Sequence, residues 1–339
     1  MKQIVLGTTL KHKFQPNGNG AMRTESLSKP DDIVTLGGNL FVGFQNGVGP
    51  QGEPATSGNT DSTLVEFTPS GSVVKQWDVK GKIDGIGADT GTGQVIATVN
   101  EDANSSLYTI SPGSAAATHY TYNEALPHKG GTDSVVYYNG KLLISASAPG
   151  TTGKAPASAP AVFAVTLNPG TKVADVAPFF ADNASAAAVN GSSAGKKTTL
   201  ALTDPDSSEV VPAGSPAFTG DFVLDSQADQ ELIFSGNGTL SVLKLPQSVD
   251  DSAWVTSASG TLYATDPTSN TVDAITGSFK PGTVYAAETP CDAANAPSTC
   301  PAPGFSANFL GTVNLKTGAL SKVAALSTMV SPQGLIFIS

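Results

Sequence analysis

Thiol and imidazole chemistry are nearly missing from this chain. Its 339 residues include two cysteines and three histidines. That cysteine count excludes a multi-thiolate zinc site. The one Gly-x-Ser-x-Gly match, GSSAG at 191–195, lies in a Ser/Ala/Gly-rich insertion rather than between a strand and a helix, so no serine elbow is marked, and no glycine-rich phosphate loop leads into a helix. Charged residues make up only 14%, and the net charge is −10. With no basic stripe to neutralise phosphates, a nucleic-acid partner is excluded. No apolar run approaches the roughly 20 residues needed to span a bilayer.

Glycine and proline are abundant, at 36 and 23 residues, and hydrophobic residues reach 39%. Thr, Val and Ser recur while the helix-favouring Glu, Lys and Arg are scarce, which predicts many short strands joined by tight turns. Six times a polar turn opens a short apolar run: KPDDIV, KIDGIG, GTDSVV, DPDSSEVV, SVDDSAW and SPQGLIFI. Their lead residues are Asp32, Asp84, Asp133, Asp206, Asp251 and Gln333, and the first two intervals are 52 and 49 residues. Four-stranded repeats of 40 to 50 residues build β-propellers. The predicted fold is therefore all-β, one six-bladed β-propeller domain over residues 1–339, with seven blades compatible with the longer intervals. The fifth blade reads as consecutive strands in SAWVTSASG, TLYATDP, TVDAITG and GTVYAA. The last blade joins an N-terminal strand near Gln3 to the C-terminal SPQGLIFIS, closing the ring and removing free sheet edges. A Ser/Ala/Gly-rich insertion over 183–197 precedes the fourth blade.

Cys291 and Cys300 lie in CDAANAPSTC, a Pro-rich loop whose closure is expected as a disulfide. A disulfide implies a secreted or extracytoplasmic protein. Met1-Lys2 leads straight into QIVLGTTL, too short for a signal core. Either a leader is removed before this sequence begins or the protein is cytoplasmic.

The segment SVDDSAWVTSASGTLYATDPTSNTVDAI (248–275) resembles an NHL-type repeat, and SPQGLIFI and KIDGIGAD are similar. The whole chain resembles the secreted NHL and SMP-30-like six-bladed propellers, which include lactonases, antibiotic lyases and binding modules. The resemblance implies the fold and leaves the reaction open, because one fold hosts many functions. The Glu-Gly-Pro motif of the family's lactonases is absent, and Asp251-Ser252 stands where their Asn-Gly turn would fall.

In a propeller, the loops entering each innermost strand share a face with the loops between second and third strands. That rule puts Asp32, Asp84, His128, Asp133, Asp206, Asp251 and Gln333 around the channel mouth, with Asn46, Asn100, Glu101, Gln227 and Asp266 on the surrounding loops. Oxygen-rich donors suit Ca²⁺ or another divalent cation, with Asp84, Asp133 and Asp251 as the candidate ligands. The same aspartates would also serve as Asx-turn caps of their own strands. His128, beside Gly130-Gly131 and Asp133, is the candidate proton carrier. His12 and His119 read as surface residues, and Trp254 as an inner-strand residue that packs between blades or flanks the channel.

The sequence thus reads as a secreted bacterial propeller, expected to be monomeric. It would bind a small polar molecule or glycan at the channel mouth, with a divalent cation as candidate cofactor. The competing readings are a metal-assisted lactone or ester hydrolase or lyase, and a non-catalytic protein- or glycan-interaction module. Thiol titration of the denatured, unreduced protein is expected to find no free thiol. Two reactive thiols would refute both the Cys291–Cys300 bond and the compartment inferred from it.

Overall fold

The computed structural model describes residues 1–127, 130–148, 158–288, 308–323, 326 and 329–339. Cys291, Cys300 and His128 therefore lie outside the described residues. Helical structure among the described residues includes two 3₁₀ turns of three residues, Gly7–Thr9 and Pro16–Gly18. No described helix is long and apolar enough to cross a membrane.

The chain opens with β1 (Lys2–Leu6) and a hairpin of β2 (Lys11–Phe14) and β3 (Arg23–Ser26). Blade 1 follows as β4 (Pro30–Leu36), β5 (Asn39–Phe44), β6 (Asp61–Phe67) and β7 (Val73–Lys80). Blade 2 is β8 (Ile83–Asp89), β9 (Gln94–Val99), β10 (Ser106–Ile110) and β11 (Thr118–Tyr122). Blade 3 is β12 (Thr132–Tyr138), β13 (Lys141–Ala146), β14 (Pro160–Asn168) and β15 (Val173–Ala181). Blades 2 and 3 merge at their outer edges, where β11 pairs parallel with β15. The insertion before blade 4 forms a hairpin of β16 (Ser185–Ala188) and β17 (Lys197–Thr199). Blade 4 is β18 (Pro205–Val210), β19 (Phe222–Ser226), β20 (Glu231–Gly236) and β21 (Thr239–Lys244). Strand β16 adds to β21 and β17 pairs with β16, so the sheet ends on a short strand that carries Lys197.

The last two blades are interlaced. Strand β22 (Val249–Trp254) is the innermost strand of blade 5, but the chain then crosses to blade 6 for β23 (Ser259–Asp266) and β24 (Thr271–Ser278). It returns to blade 5 for β25 (Val284–Glu288), β26 (Phe309–Val313) and β27 (Leu320–Lys322). It ends in β28 (Leu335–Ile338), the innermost strand of blade 6, whose outer strand is β1. The two chain ends thus close one blade, as the sequence led us to expect. The run of four consecutive strands expected for blade 5 does not occur. Alternation along a strand shows its buried faces but not its sheet, and β22 and β25 pair across an intervening hairpin.

Both faces of each blade are buried, so the strands read as nearly continuous apolar runs. Along β5, Leu40, Val42 and Phe44 pack toward blade 6, while Phe41 packs toward blade 2. Among the described residues six such clusters occur, one per blade interface. Phe41, Phe44, Phe67, Phe163, Phe222 and Phe234 are among the largest fully buried side chains.

His12 is not a surface residue. It is 4% exposed, with Nδ1 3.2 Å from Asp78 Oδ1 on β7 and Nε2 3.1 Å from Glu25 Oε1 on β3. Thr63 Oγ1 donates to the same Asp78 oxygen at 2.7 Å. His119 is exposed and stacks on Tyr108. Burial opposes protonation of His12, but the bonds and charges of Asp78 and Glu25 outweigh it and raise its pKa. A raised folded-state pKa adds stability below the unfolded value near 6.5, and that stability fades as pH rises through the folded value. His12→Asn is expected to cost about 2 kcal/mol at pH 5.5, the scale of a hydrogen bond to a charged group. The loss should be smaller at pH 9. Equal losses at both pH values in thermal melts would refute the charged clamp.

Candidate functional site at the channel mouth

Each of the first five innermost strands enters the channel through a register break. The breaks fall between Pro30 and Ile33, Ile83 and Ile86, Thr132 and Val135, Pro205 and Ser208, and Val249 and Asp251. A bulge of this kind re-aims a side chain at the cost of local pairing. Aligning the breaks makes Asp31, Asp84, Asp133, Asp206 and Asp250 equivalent, with Gln333 at the same place before β28. All six line a single cavity of about 730 Å³. In the Asp31-Asp32 and Asp250-Asp251 pairs, the first residue belongs to this ring.

The next position around the bulge joins neighbouring blades. Asp32 accepts from Ile86 N of blade 2 at 2.7 Å, and Asp251 accepts from Leu335 N of blade 6 at 2.6 Å. Elsewhere a hydroxyl on the second strand makes the link. Thr98 Oγ1 donates to Asp133 O, Ser145 Oγ to Asp206 O at 3.1 Å, and Thr265 Oγ1 to Asp31 O. The equivalent positions in blades 1 and 5 are Gly43 and Ala287, which carry no hydroxyl; these are the two interfaces where Asp32 and Asp251 reach across. In blade 4 the equivalent is Asp225, which Ser252 of blade 5 favours in its ionised form.

Of the residues singled out in the sequence, Asp84, Asp133, Glu101, Gln227 and Gln333 line the cavity. Asp84 and Asp133 join Asp206 in a group whose candidate ligand atoms lie within 4.8 Å of one another. Asp251 lines the cavity wall, but its carboxylate accepts from Ser252 N and Leu335 N. Asn46, Asn100 and Asp266 stand apart from the cavity lining and hold loops. Asn46 accepts from Ser28 N and donates to Thr63 Oγ1. Asn100 accepts from Lys82 N, and Asp266 accepts from Ser269, Val330 and Ser331 N–H groups. Glu101 pairs with Lys82, whose ammonium also sits 3.0 Å from Asp84 Oδ1. Trp254 lines the cavity and belongs to the cluster between blades 4 and 5. Sequence reasoning passed over Asp31, Asp250, Asp204, Lys82 and Gln45. The doubled aspartates were visible, but only the bulge decides which of each pair faces the axis.

Eleven carboxylates and one amine, Lys82, line the cavity, and among the described residues no histidine does. Burial is the main force raising the carboxyl pKa values, with neighbouring carboxylates adding to it. Asp31, Asp133 and Asp206 lie well above the usual range; Asp32 and Asp250 are raised to about 7, and Asp204 to about 6. Glu101 is raised to about 8 by burial and Asp84, despite Lys82.

No family model and no curated protein match the sequence. Solved structures similar in shape include the periplasmic gluconolactonase of Pseudomonas aeruginosa, 14% identical, covering 94% of this chain and 92% of that one with a TM-score of 0.49. A Bacteroides caccae protein of unknown function is 8% identical over 99% of this chain and 97% of its own, with a TM-score of 0.48. Virginiamycin B lyase from Staphylococcus aureus is 10% identical over 97% of this chain and 95% of its own, at 0.43.

A carboxyl whose folded pKa is raised keeps its proton in the native state after the unfolded chain has lost it. Between the unfolded values near 4 and the folded values of about 6 to 8, stability therefore falls as pH rises. In EDTA, the protein is expected to melt higher at pH 5 than at pH 8, and Asp250→Asn should flatten that slope. A melting temperature that climbs from pH 5 to pH 8 would contradict this account.

Proposed function

We propose that the channel mouth binds a small polar ligand together with a divalent cation held by Asp84, Asp133 and Asp206, in a secreted propeller. The observation that carries this reading is Asp133. It is 4% exposed, its Oδ1 has no hydrogen-bond partner, and it belongs to the close carboxylate group. A buried acceptor left without a donor costs roughly 1–3 kcal/mol unless a cation or proton satisfies it. The donors are all oxygen, which suits a hard cation such as Ca²⁺.

A second reading, metal-assisted hydrolysis or elimination on a lactone or ester, draws support from Asp250. Its pKa of about 7, raised by burial and by Asp84, suits proton transfer near neutral pH. A bound cation would supply Lewis acidity toward a carbonyl. Asp250 would hold or release the proton, and Gln227, which donates to Asp250 Oδ1 at 2.9 Å, would orient it.

Melting curves with Ca²⁺, Mg²⁺, Mn²⁺ or EDTA test the first reading. Cation at 100 times its dissociation constant is expected to stabilise the wild type by about 2.7 kcal/mol. Asp133→Asn should lose most of that gain. Asp251→Ala should instead lower the baseline by about 1–3 kcal/mol, because Leu335 N loses its acceptor. No cation-dependent shift in the wild type would remove the cation from the proposal.

A further inference from the structure

The mouth has two chemically different halves. Blades 2, 3 and 4 contribute the Asp84–Asp133–Asp206 group. Opposite it, Asp31 of blade 1 and Asp250 of blade 5 flank Gln333 of blade 6. Gln45 Nε2 donates to Asp31 Oδ2 at 2.8 Å, and Gln227 Nε2 donates to Asp250 Oδ1 at 2.9 Å. Gln333 also bonds to Asp250. Each carboxyl is thus fixed in direction by an amide, and among the described residues no lysine or arginine hydrogen-bonds to either. Below this half the channel wall is apolar, with Val34, Ala253 and Ile336, and Glu209 stands farther along the same cavity.

This charge pattern selects a ligand class. Eleven carboxylates against one lysine repel sugar acids and phosphates. A divalent ion held by Asp84, Asp133 and Asp206 is a single point charge with no methylenes to cover the apolar wall. A linear organic polycation distributes its charge instead. Each primary ammonium brings three donors, matching two carboxylates and the amide oxygen of Gln333. Its methylenes would lie against the apolar wall, and a second ammonium would reach toward Glu209. The cavity volume of about 730 Å³ falls in the range of small-molecule sites, roughly 300–1,000 Å³. An independent sign that the cavity awaits a cationic or donor-rich occupant is the partnerless Asp133 Oδ1, in a side chain more than nine-tenths buried.

We propose that Asp31, Gln333 and Asp250 bind the terminal ammonium of a linear di- or polyamine whose chain runs along the channel toward Glu209. The inference rests on reading the mouth as a ligand site, but it does not require the divalent cation. An ammonium beside a carboxyl favours the ionised form. Because burial holds Asp31 and Asp250 above their ordinary pKa range, amine binding should expel protons near pH 6.5.

The test uses spermidine and the full chain in EDTA, by calorimetric titration at pH 6.5 in two buffers of different ionisation enthalpy. Saturable binding with net proton release is expected, together with a higher melting temperature. Sodium chloride at matched ionic strength and 1,5-pentanediol should give neither. The double variant Asp31→Asn/Asp250→Asn is expected to weaken spermidine at least tenfold. If it fails to fold, Gln333→Leu should still weaken binding severalfold. Spermidine binding that salt reproduces, that releases no protons, or that survives these variants unchanged would overturn the proposal. Parallel titrations with Ca²⁺ and Mn²⁺ alone report on the divalent site, so the failure of one reading is distinguishable from the failure of the other.

Discussion

The register break at the head of the innermost strands is the constraint on which the site depends. A regular strand would alternate its side chains between the two blade interfaces. The bulge inserts a residue that belongs to neither, and that residue faces the channel. The residue after it faces the next blade. Two tasks, lining the axis and joining the ring, thus fall on adjacent positions. Where the second strand carries Thr98, Ser145 or Thr265, a hydroxyl makes the joint. Where it carries Gly43 or Ala287, Asp32 or Asp251 takes over. Adding a side chain at Gly43 would also be resisted, since a Cβ there would lie 2.7 Å from Ile83 Cγ2.

That arrangement concentrates like charges in a buried space, which opposes folding unless protons or cations offset them. Lys82 is the one amine lining the cavity; it pairs directly with Asp84 and Glu101, and its charge also favours the ionised forms of Asp31 and Asp250. The remainder is met by protonation, so folding and occupancy of the mouth are linked to the same titration. Stability is spent where binding would recover it, as expected of a site shaped for ligands rather than for the fold alone.

The all-β propeller class and the closure of one blade by both chain ends were legible in the sequence, because polar turns and apolar alternation are local signals. So was the gathering of acidic residues at one mouth. What was not legible depends on pairing across long stretches of chain. Nothing local distinguishes Asp31 from Asp32, or Asp250 from Asp251, before the bulge is known. Asn46, Asn100 and Asp266 have the same residue types as ligands do, yet their partners are the backbone N–H groups of nearby loops. His12 read as a terminal surface residue because its two acids, Glu25 and Asp78, come from a hairpin and from the outer strand of blade 1. The interlacing of blades 5 and 6 is invisible for the same reason, since β23 and β24 alternate identically whichever sheet they join.

The interlacing also bears on how the two halves of the mouth are held. Asp31, Gln333 and Asp250 come from blades 1, 6 and 5, and blades 5 and 6 cannot part without drawing the chain through two sheets. Asp84, Asp133 and Asp206 come from blades 2, 3 and 4, and blades 2 and 3 are joined again by the parallel pairing of β11 with β15. Each half therefore sits on a reinforced pair of blades. The seams between the halves fall at blades 1 and 2 and at blades 4 and 5. Asp32 bridges the first seam, and Asp225 faces Ser252 across the second. Both are carboxyls with raised pKa values, as is Asp251 at the joint of blades 5 and 6, in contrast to the neutral hydroxyl joints of Thr98, Ser145 and Thr265. A backbone N–H donates more strongly to a carboxylate than to a neutral acid. The joints made by Asp32 and Asp251, which accept from Ile86 N and Leu335 N, are thus the ones whose strength follows the protonation of the channel.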